Sequence, residues 1–193
     1  RWFLYSLGAA AVMAALIRFI PAAAKKASAS VRPPGSSEAS LTDQCIRCGE
    51  CMKVCPTGVI QPDPAGSPAK LWTPALKTRL GYCDYSCNSC GLACPTGAIT
   101  PLTLAEKRKS VIGVARIDQT RCITWVEGRD CIVCEEMCPV PEKAIKLGGG
   151  GKGHGAGGGR HPQVVDSLCI GCGICEHQCP VYGEAAIRVF PVD

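Results

Sequence analysis

The sequence predicts a small, repetitive domain of short elements whose interior is filled by cysteine, and it argues against an ordinary α/β enzyme. The 193 residues include 16 cysteines, 15 prolines and 22 glycines. So much proline and glycine disfavours long helices and a deep regular sheet. The aromatic residues are only three tryptophans, four tyrosines and three phenylalanines, too few to fill an apolar core of this size. Cysteine is the one residue type abundant enough to take their place.

One cysteine module occurs four times and accounts for every cysteine in the chain. In each copy the last three cysteines are separated by two and then three residues, and a proline follows the last one. The first and second cysteines are separated by two residues in modules one and four, by three in module two and by eight in module three. The modules are Cys45, Cys48, Cys51, Cys55; Cys83, Cys87, Cys90, Cys94; Cys122, Cys131, Cys134, Cys138; and Cys169, Cys172, Cys175, Cys179.

This spacing is typical of iron–sulfur clusters. Three closely spaced thiolates wrap a tight loop around a compact cubane, whereas the fourth, followed by proline, points away and ligates the other cluster of a pair. Structural zinc sites more often use paired Cys-x2-Cys knuckles on a longer loop, and a disulfide framework would not require four copies of a cluster-type module. We therefore expect four [4Fe-4S] clusters, with all sixteen cysteines as iron ligands.

Neither nucleic-acid binding nor catalysis is indicated. The formal charge of +5 counts every cysteine as neutral, and thiolates around four clusters would bring the chain to roughly −3. The basic residues are scattered, without an aromatic-interleaved stripe. No nucleophile with a nearby base and no dinucleotide-binding glycine motif occurs, so we expect no catalytic residues. The expected role is single-electron transfer; the alternative is an assembly or scaffold subunit whose clusters are mainly structural.

The N-terminus predicts a membrane anchor. Residues 2–20 are apolar except for Ser6, Gly8 and Arg18, and as a helix they would extend about 28 Å, close to the thickness of a bilayer's hydrocarbon core. We expect an anchor at 1–20 that contacts the lipid bilayer, an Ala/Ser/Pro linker at 21–40 and a four-cluster domain at 41–193 with a glycine-rich insertion at 148–159. A cleaved signal peptide is the rival to the anchor, because small residues follow at 22–24.

Two sequence features give conflicting predictions of the side of the membrane on which the cluster domain lies. Arg1 to Leu4 partly resemble the second half of a twin-arginine export signal, which predicts a cluster domain on the periplasmic side. Four basic residues after the apolar stretch favour the cytoplasmic face instead, since positive charge tends to stay on that side. They are Arg18, Lys25, Lys26 and Arg32.

The modules resemble those of the bacterial-type ferredoxin superfamily over residues 41–193. Module three, with its long first gap (CITWVEGRDCIVCEEMCPVPEKAI), is similar to the ferredoxin-type accessory subunits of periplasmic nitrate reductase and methylamine-utilisation systems. Module two departs from their usual spacing. The resemblance implies an α+β fold of short helices and β-hairpins around the clusters, with short strands at Val114–Ile117 and Val164–Val165. It also implies a partner oxidoreductase and a membrane redox subunit that is quinone- or haem-linked.

The resemblance further implies that the modules pair in a nested way, one with four and two with three. The ligand sets would then be Cys45, Cys48, Cys51 with Cys179; Cys169, Cys172, Cys175 with Cys55; Cys83, Cys87, Cys90 with Cys138; and Cys122, Cys131, Cys134 with Cys94. Sequential pairing, one with two and three with four, is the rival arrangement. The spacing of the cysteines does not distinguish between the two.

Overall fold

The computed structural model describes residues 30–64, 69–148 and 160–192, and these residues form two similar units. Unit one lies within residues 30–110 and unit two within residues 111–192. The helices are α1 (Glu38–Asp43), α2 (Glu50–Lys53), α3 (Ser89–Leu92), α4 (Leu104–Lys109), α5 (Ile123–Val126), α6 (Val133–Glu136) and α7 (Ile174–His177). The strands are β1 (Ile60–Pro62), β2 (Pro74–Leu76), β3 (Val114–Ile117), β4 (Ile145–Gly148), β5 (His161–Val164) and β6 (Ile187–Phe190). The expected α+β fold of short elements is confirmed.

The strands form three antiparallel pairs: β1 with β2, β4 with β5, and β3 with β6. The first pair joins module one to module two, and the second joins module three to module four. The third pair closes unit two, since β3 precedes module three and β6 follows module four. The expected strand at Val114–Ile117 is β3, and β5 ends at Val164. Two-stranded ribbons of three or four residues are marginal alone, so these depend on packing against the cysteine loops.

Four of the helices are single turns that each carry the third cysteine of a module. These helices are α2, α3, α6 and α7, and their cysteines are Cys51, Cys90, Cys134 and Cys175. Each helix ends two residues before the Cys-Pro of its module. Proline has no amide hydrogen and clashes with the preceding turn, so it keeps the helix from continuing. The chain therefore turns away from the loop at the position where the fourth cysteine leaves it.

The core consists of the short apolar segments that follow the modules, together with the cysteines themselves. These segments are Val59-Ile60, Ala98-Ile99, Ala144-Ile145 and Ala186-Ile187, and every one of these side chains is buried. All of them except Ala186 belong to three small clusters whose other members include cysteines from all four modules. The cysteine-rich interior expected from the composition is present.

The predicted linker at 21–40 is wrong in its second half. Residues 31–34 are buried, the amide of Leu76 donates to the carbonyl of Val31 at 2.8 Å, and α1 begins at Glu38 with Ser37 as its cap. The packed domain thus begins ten residues earlier than residue 41. The sequence did not indicate that this segment is packed, because its Ala/Ser/Pro composition is typical of a linker. Arg32, the residue that holds the segment in place, has a charged side chain of a kind that is usually exposed.

Two predicted features lie outside the described residues: the membrane span at 2–20, and the glycine-rich insertion apart from Gly148, which ends β4. Among the helices of residues 30–64, 69–148 and 160–192, none has the length and apolar character needed to cross a membrane.

Arg32 anchors the N-terminal segment of unit one through a buried ionic network. Its Nε lies 2.5 Å from Oε1 of Glu38, and its Nη1 donates to the carbonyl of Pro74 at 3.0 Å and lies 3.5 Å from Oδ2 of Asp63. Asp63 is only 2% exposed and also lies 3.5 Å from Nζ of Lys77. A carboxylate so deeply buried depends on its cationic neighbours to offset the loss of hydration.

Replacing Arg32 with Met should destabilise unit one strongly, because the carboxylate of Asp63 would lose a cationic neighbour. The expected loss is on the order of 3–5 kcal/mol, the usual cost of breaking a buried ion pair. Urea unfolding of the anaerobically purified protein, followed by tryptophan fluorescence, measures it. The control is Arg116→Met, whose pair with Asp166 is exposed and should contribute about 0–1 kcal/mol. Equal shifts in the two variants would contradict the buried network.

Candidate metal centres

The sixteen cysteines gather into four quartets, each lining one cavity. Site A contains Cys45, Cys48, Cys51 and Cys94, and site B contains Cys55, Cys83, Cys87 and Cys90. Site C contains Cys122, Cys131, Cys134 and Cys179, and site D contains Cys138, Cys169, Cys172 and Cys175. The empty space at sites A to D, including the part that is open to solvent, is about 370, 350, 400 and 310 Å³ in that order. All sixteen cysteines are free thiols.

The nested pairing of modules is wrong. Cys94 lies with the first three cysteines of module one, and Cys55 with those of module two. Modules three and four exchange Cys138 and Cys179 in the same way. The physical reason is the hairpins: β1 with β2, and β4 with β5, fold each module back onto the next one along the chain. The quartets therefore follow the rival sequential arrangement, and the fourth cysteine of each module lies with the other module of its unit.

Local backbone geometry directs the cysteines toward their cavities. Gly49 and Gly173 precede α2 and α7 with φ of 78° and 82°, a left-handed conformation that costs a glycine little. This reversal lets the second and third cysteines of modules one and four approach one cavity from two directions. Modules two and three reach the same arrangement with Asn88 and Ile132 at negative φ.

Main-chain and side-chain donors reach the sulfur atoms. The amides of Ile99, Ala144 and Ala115 donate to the Sγ atoms of Cys94, Cys138 and Cys169 at 3.3–3.4 Å. In unit one, the sequence Cys-Pro-Thr-Gly occurs after α2 and again after α3. Its threonine hydroxyl lies 3.5 Å from the sulfur in the first copy and 3.8 Å in the second. Donors of this kind stabilise a thiolate and tune a bound metal centre.

The cysteine pKa values divide according to these surroundings. Burial and repulsion from neighbouring cysteines raise the pKa of Cys51, Cys134 and Cys172 to about 12. Although burial acts in the opposite direction, hydrogen bonds lower the pKa of Cys55 and Cys94. Four thiolates in one cavity therefore require a cationic core among them, which is what a metal centre provides. The donor set of each quartet fits an iron–sulfur cluster.

The quartets surround cavities and do not converge on a point. Within residues 30–64, 69–148 and 160–192, no three His, Cys, Asp or Glu side chains lie close enough to hold a single metal ion. Four thiols spread around one shared cavity suit a multi-iron core.

The four sites differ in exposure. All four cysteines of site D are buried, whereas site A includes the exposed Cys48 and sites B and C have mostly half-buried cysteines. Burial lowers the local dielectric and restricts water, both of which shift the potential of a cluster.

Lys107 is a residue of site B that the sequence patterns did not identify. It lies in α4, is 3% exposed and donates from Nζ to the carbonyl of Asp84. Burial raises the pKa of Cys83, while the charge and a hydrogen bond of Lys107 act to lower it. Thr103 and Glu106 form a capping box at the start of α4, a pattern that is visible in the sequence. The cysteine spacing, however, does not indicate which face of this helix contacts a cysteine.

Two family-level matches agree with this geometry. Residues 44–98 match the 4Fe-4S dicluster domain, and residues 162–182 match the 4Fe-4S binding domain. The first match includes modules one and two together, as the sequential pairing requires.

The chain is also similar to whole proteins over most of its length. It is 35% identical to the methylamine utilization ferredoxin-type protein MauM of Methylorubrum extorquens, over 92% of this chain and 80% of that protein. It is 35% identical to MauM of Paracoccus denitrificans, over 85% and 72%, and 32% identical to the ferredoxin-type protein NapG of Haemophilus influenzae, over 84% and 59%. The chain therefore belongs to the ferredoxin-type proteins with 4Fe-4S binding domains, the family that includes MauM and NapG.

Proposed function

We propose that this protein is an electron-transfer subunit that holds four [4Fe-4S] clusters, one in each of sites A to D, and serves a partner oxidoreductase. The observation that carries the proposal is the convergence of all sixteen cysteines into four separate quartets. A [4Fe-4S] cluster bound by four thiolates takes up and releases single electrons at a potential set by its surroundings. No cysteine remains outside the quartets for another chemistry.

The residues around the quartets contribute to electron transfer in three ways. The amides and threonine hydroxyls that reach the sulfurs stabilise negative charge on the ligands, and Lys107 adds a buried positive charge beside site B. The apolar segments after each module keep water from much of each cavity. Together they fix the ligand geometry, so that little rearrangement accompanies a change of charge.

The proposal extends to the location of the protein. Residues 2–20 anchor it to the membrane, and the cluster domain lies on the periplasmic side. This extension is supported by the apolar N-terminal sequence and the partial twin-arginine motif. The membrane partner is then a quinone- or haem-linked redox subunit, which exchanges electrons with the oxidoreductase through this chain.

The first test is metal analysis combined with an EPR-monitored redox titration of the anaerobically purified protein. We expect about sixteen iron and sixteen sulfide per chain and signals that titrate reversibly. Irreversible or inaccessible potentials, with the iron present, would instead favour a scaffold whose clusters are structural. The absence of a cluster signal in every redox state would overturn the proposal.

The ligand assignment can be tested by comparing single substitutions. Cys94→Ala should remove the same EPR signal as Cys48→Ala, because both cysteines line site A. Each variant should lose about four irons. Cys131→Ala, in site C, is the control and should remove a different signal. If Cys94→Ala and Cys131→Ala removed the same signal, the nested assignment would be correct and the sequential one wrong.

Lys107→Met should lower the reduction potential of the site B signal by tens of millivolts, because a buried positive charge favours the reduced, more negative state. Site B is identified as the signal that Cys87→Ala removes. The matched control is Lys109→Met, a change to an exposed lysine of the same helix, which should leave all four potentials nearly unchanged. A potential that stayed constant in Lys107→Met would contradict this role.

A further inference from the structure

The two units meet where module two contacts module four. The amide of Cys83 in unit one donates to the carbonyl of Cys172 in unit two at 2.7 Å. Cys83 lines site B and Cys172 lines site D. These two sites therefore share a direct main-chain hydrogen bond between their cysteines, although they belong to different units.

The other neighbours follow from the packing of the one-turn helices. Helix α2 contacts α3, so Cys51 of site A lies next to Cys90 of site B. Helix α6 contacts α7, so Cys134 of site C lies next to Cys175 of site D. With the bond between Cys83 and Cys172, these contacts connect the four sites in the order A, B, D, C. This order differs from their order along the chain.

Arg79 of unit one holds the end of α7 in unit two. Its Nη1 donates to the carbonyls of Glu176 and Cys179 at 3.0 Å each, and its Nη2 donates to the carbonyl of Val181 at 2.7 Å. The last carbonyls of a helix have no partner within the helix, so a guanidinium is well suited to bind them. The ring of His177 also lies against the ring of Tyr82, with centroids 5.6 Å apart.

The two units approach so closely at Gly173 that a side chain is excluded there. A Cβ on Gly173 would lie 2.3 Å from Cγ2 of Thr78 in unit one. Within unit two, a Cβ on Gly171 would lie 2.4 Å from the amide nitrogen of Gly113. Both glycines have positive φ and flank Cys172. The contact therefore fixes the position of site D relative to unit one directly, through the loop that carries its cysteine.

We propose that residues 78–83 form a junction with residues 170–181 that joins the four sites into one continuous path in the order A, B, D, C. Arg79 is a positioning residue of this junction, and sites A and C are the two ends of the path. This inference rests on the proposed function and adds the order of the sites. Electrons that enter at one end of the protein leave from the other unit.

The order can be tested by removing one interior site at a time and recording EPR spectra of the fully reduced protein. Coupling between reduced centres falls steeply with distance, so neighbours broaden or split each other's signals and isolated centres do not. Cys175→Ala, which removes site D, should leave one coupled pair, A with B, and one isolated signal from C. Cys87→Ala, which removes site B, should leave A isolated and D coupled to C. Three coupled centres in Cys175→Ala would place C beside A or B and overturn the order.

Arg79→Met tests the junction without changing any cysteine, and so remains informative if a cysteine variant does not fold. Its iron content should equal that of the wild type, with the couplings of A to B and of D to C retained and that of B to D weakened. Arg116→Met, which loses an exposed arginine within unit two, is the control and should keep all three couplings. An unchanged coupling of B to D in Arg79→Met would refute the role of Arg79.

Different results would contradict the proposed function and the proposed order of the sites. Loss of cluster signals in the wild type would contradict the proposed function itself. Four intact signals with another coupling pattern would contradict only the order of the sites.

Discussion

Every quartet of thiols is completed by a cysteine from the neighbouring module, and the rest of the fold depends on that exchange. The hairpins β1–β2 and β4–β5 bring the two modules of a unit together, and the one-turn helices end where the Cys-Pro sequence must leave for the other cavity. The apolar pairs that follow, such as Val59-Ile60, pack beneath the cavities because they come directly after that crossing. The modest apolar core is sufficient because metal ligation contributes to folding free energy in proteins of this kind.

Electrostatics imposes a second constraint. Sixteen thiols in a chain of 193 residues would repel one another as thiolates, and burial raises the pKa of several of them, such as Cys51 and Cys172. The protein reduces this cost locally, with amides and hydroxyls at Cys55 and Cys94 and with the ammonium of Lys107 near Cys83. The formal positive charge of the chain is best understood as compensation for these buried anionic centres.

Much of the candidate site could be predicted from the sequence, because the ligands are short-range features. The spacing and the proline after each fourth cysteine identify the modules, and the crossing of that cysteine follows from the same pattern. Which modules exchange cysteines could not be predicted, since Cys94 and Cys179 stand in the same local context and only the hairpins distinguish them. Arg32, Arg79 and Lys107 were also out of reach, because each acts on residues far away in the sequence and none belongs to a motif.

The exchange of fourth cysteines also limits how such a protein can change in evolution. Deleting one module would remove three thiols from one quartet. It would also remove the fourth thiol from the quartet of the neighbouring module. A duplicated single module would carry three thiols for one cavity and a fourth with no cavity to complete. The smallest unit that can be duplicated or lost intact is therefore a pair of modules. Duplication of such a pair would produce two similar units, as in this chain, where they are connected across Cys83 and Cys172.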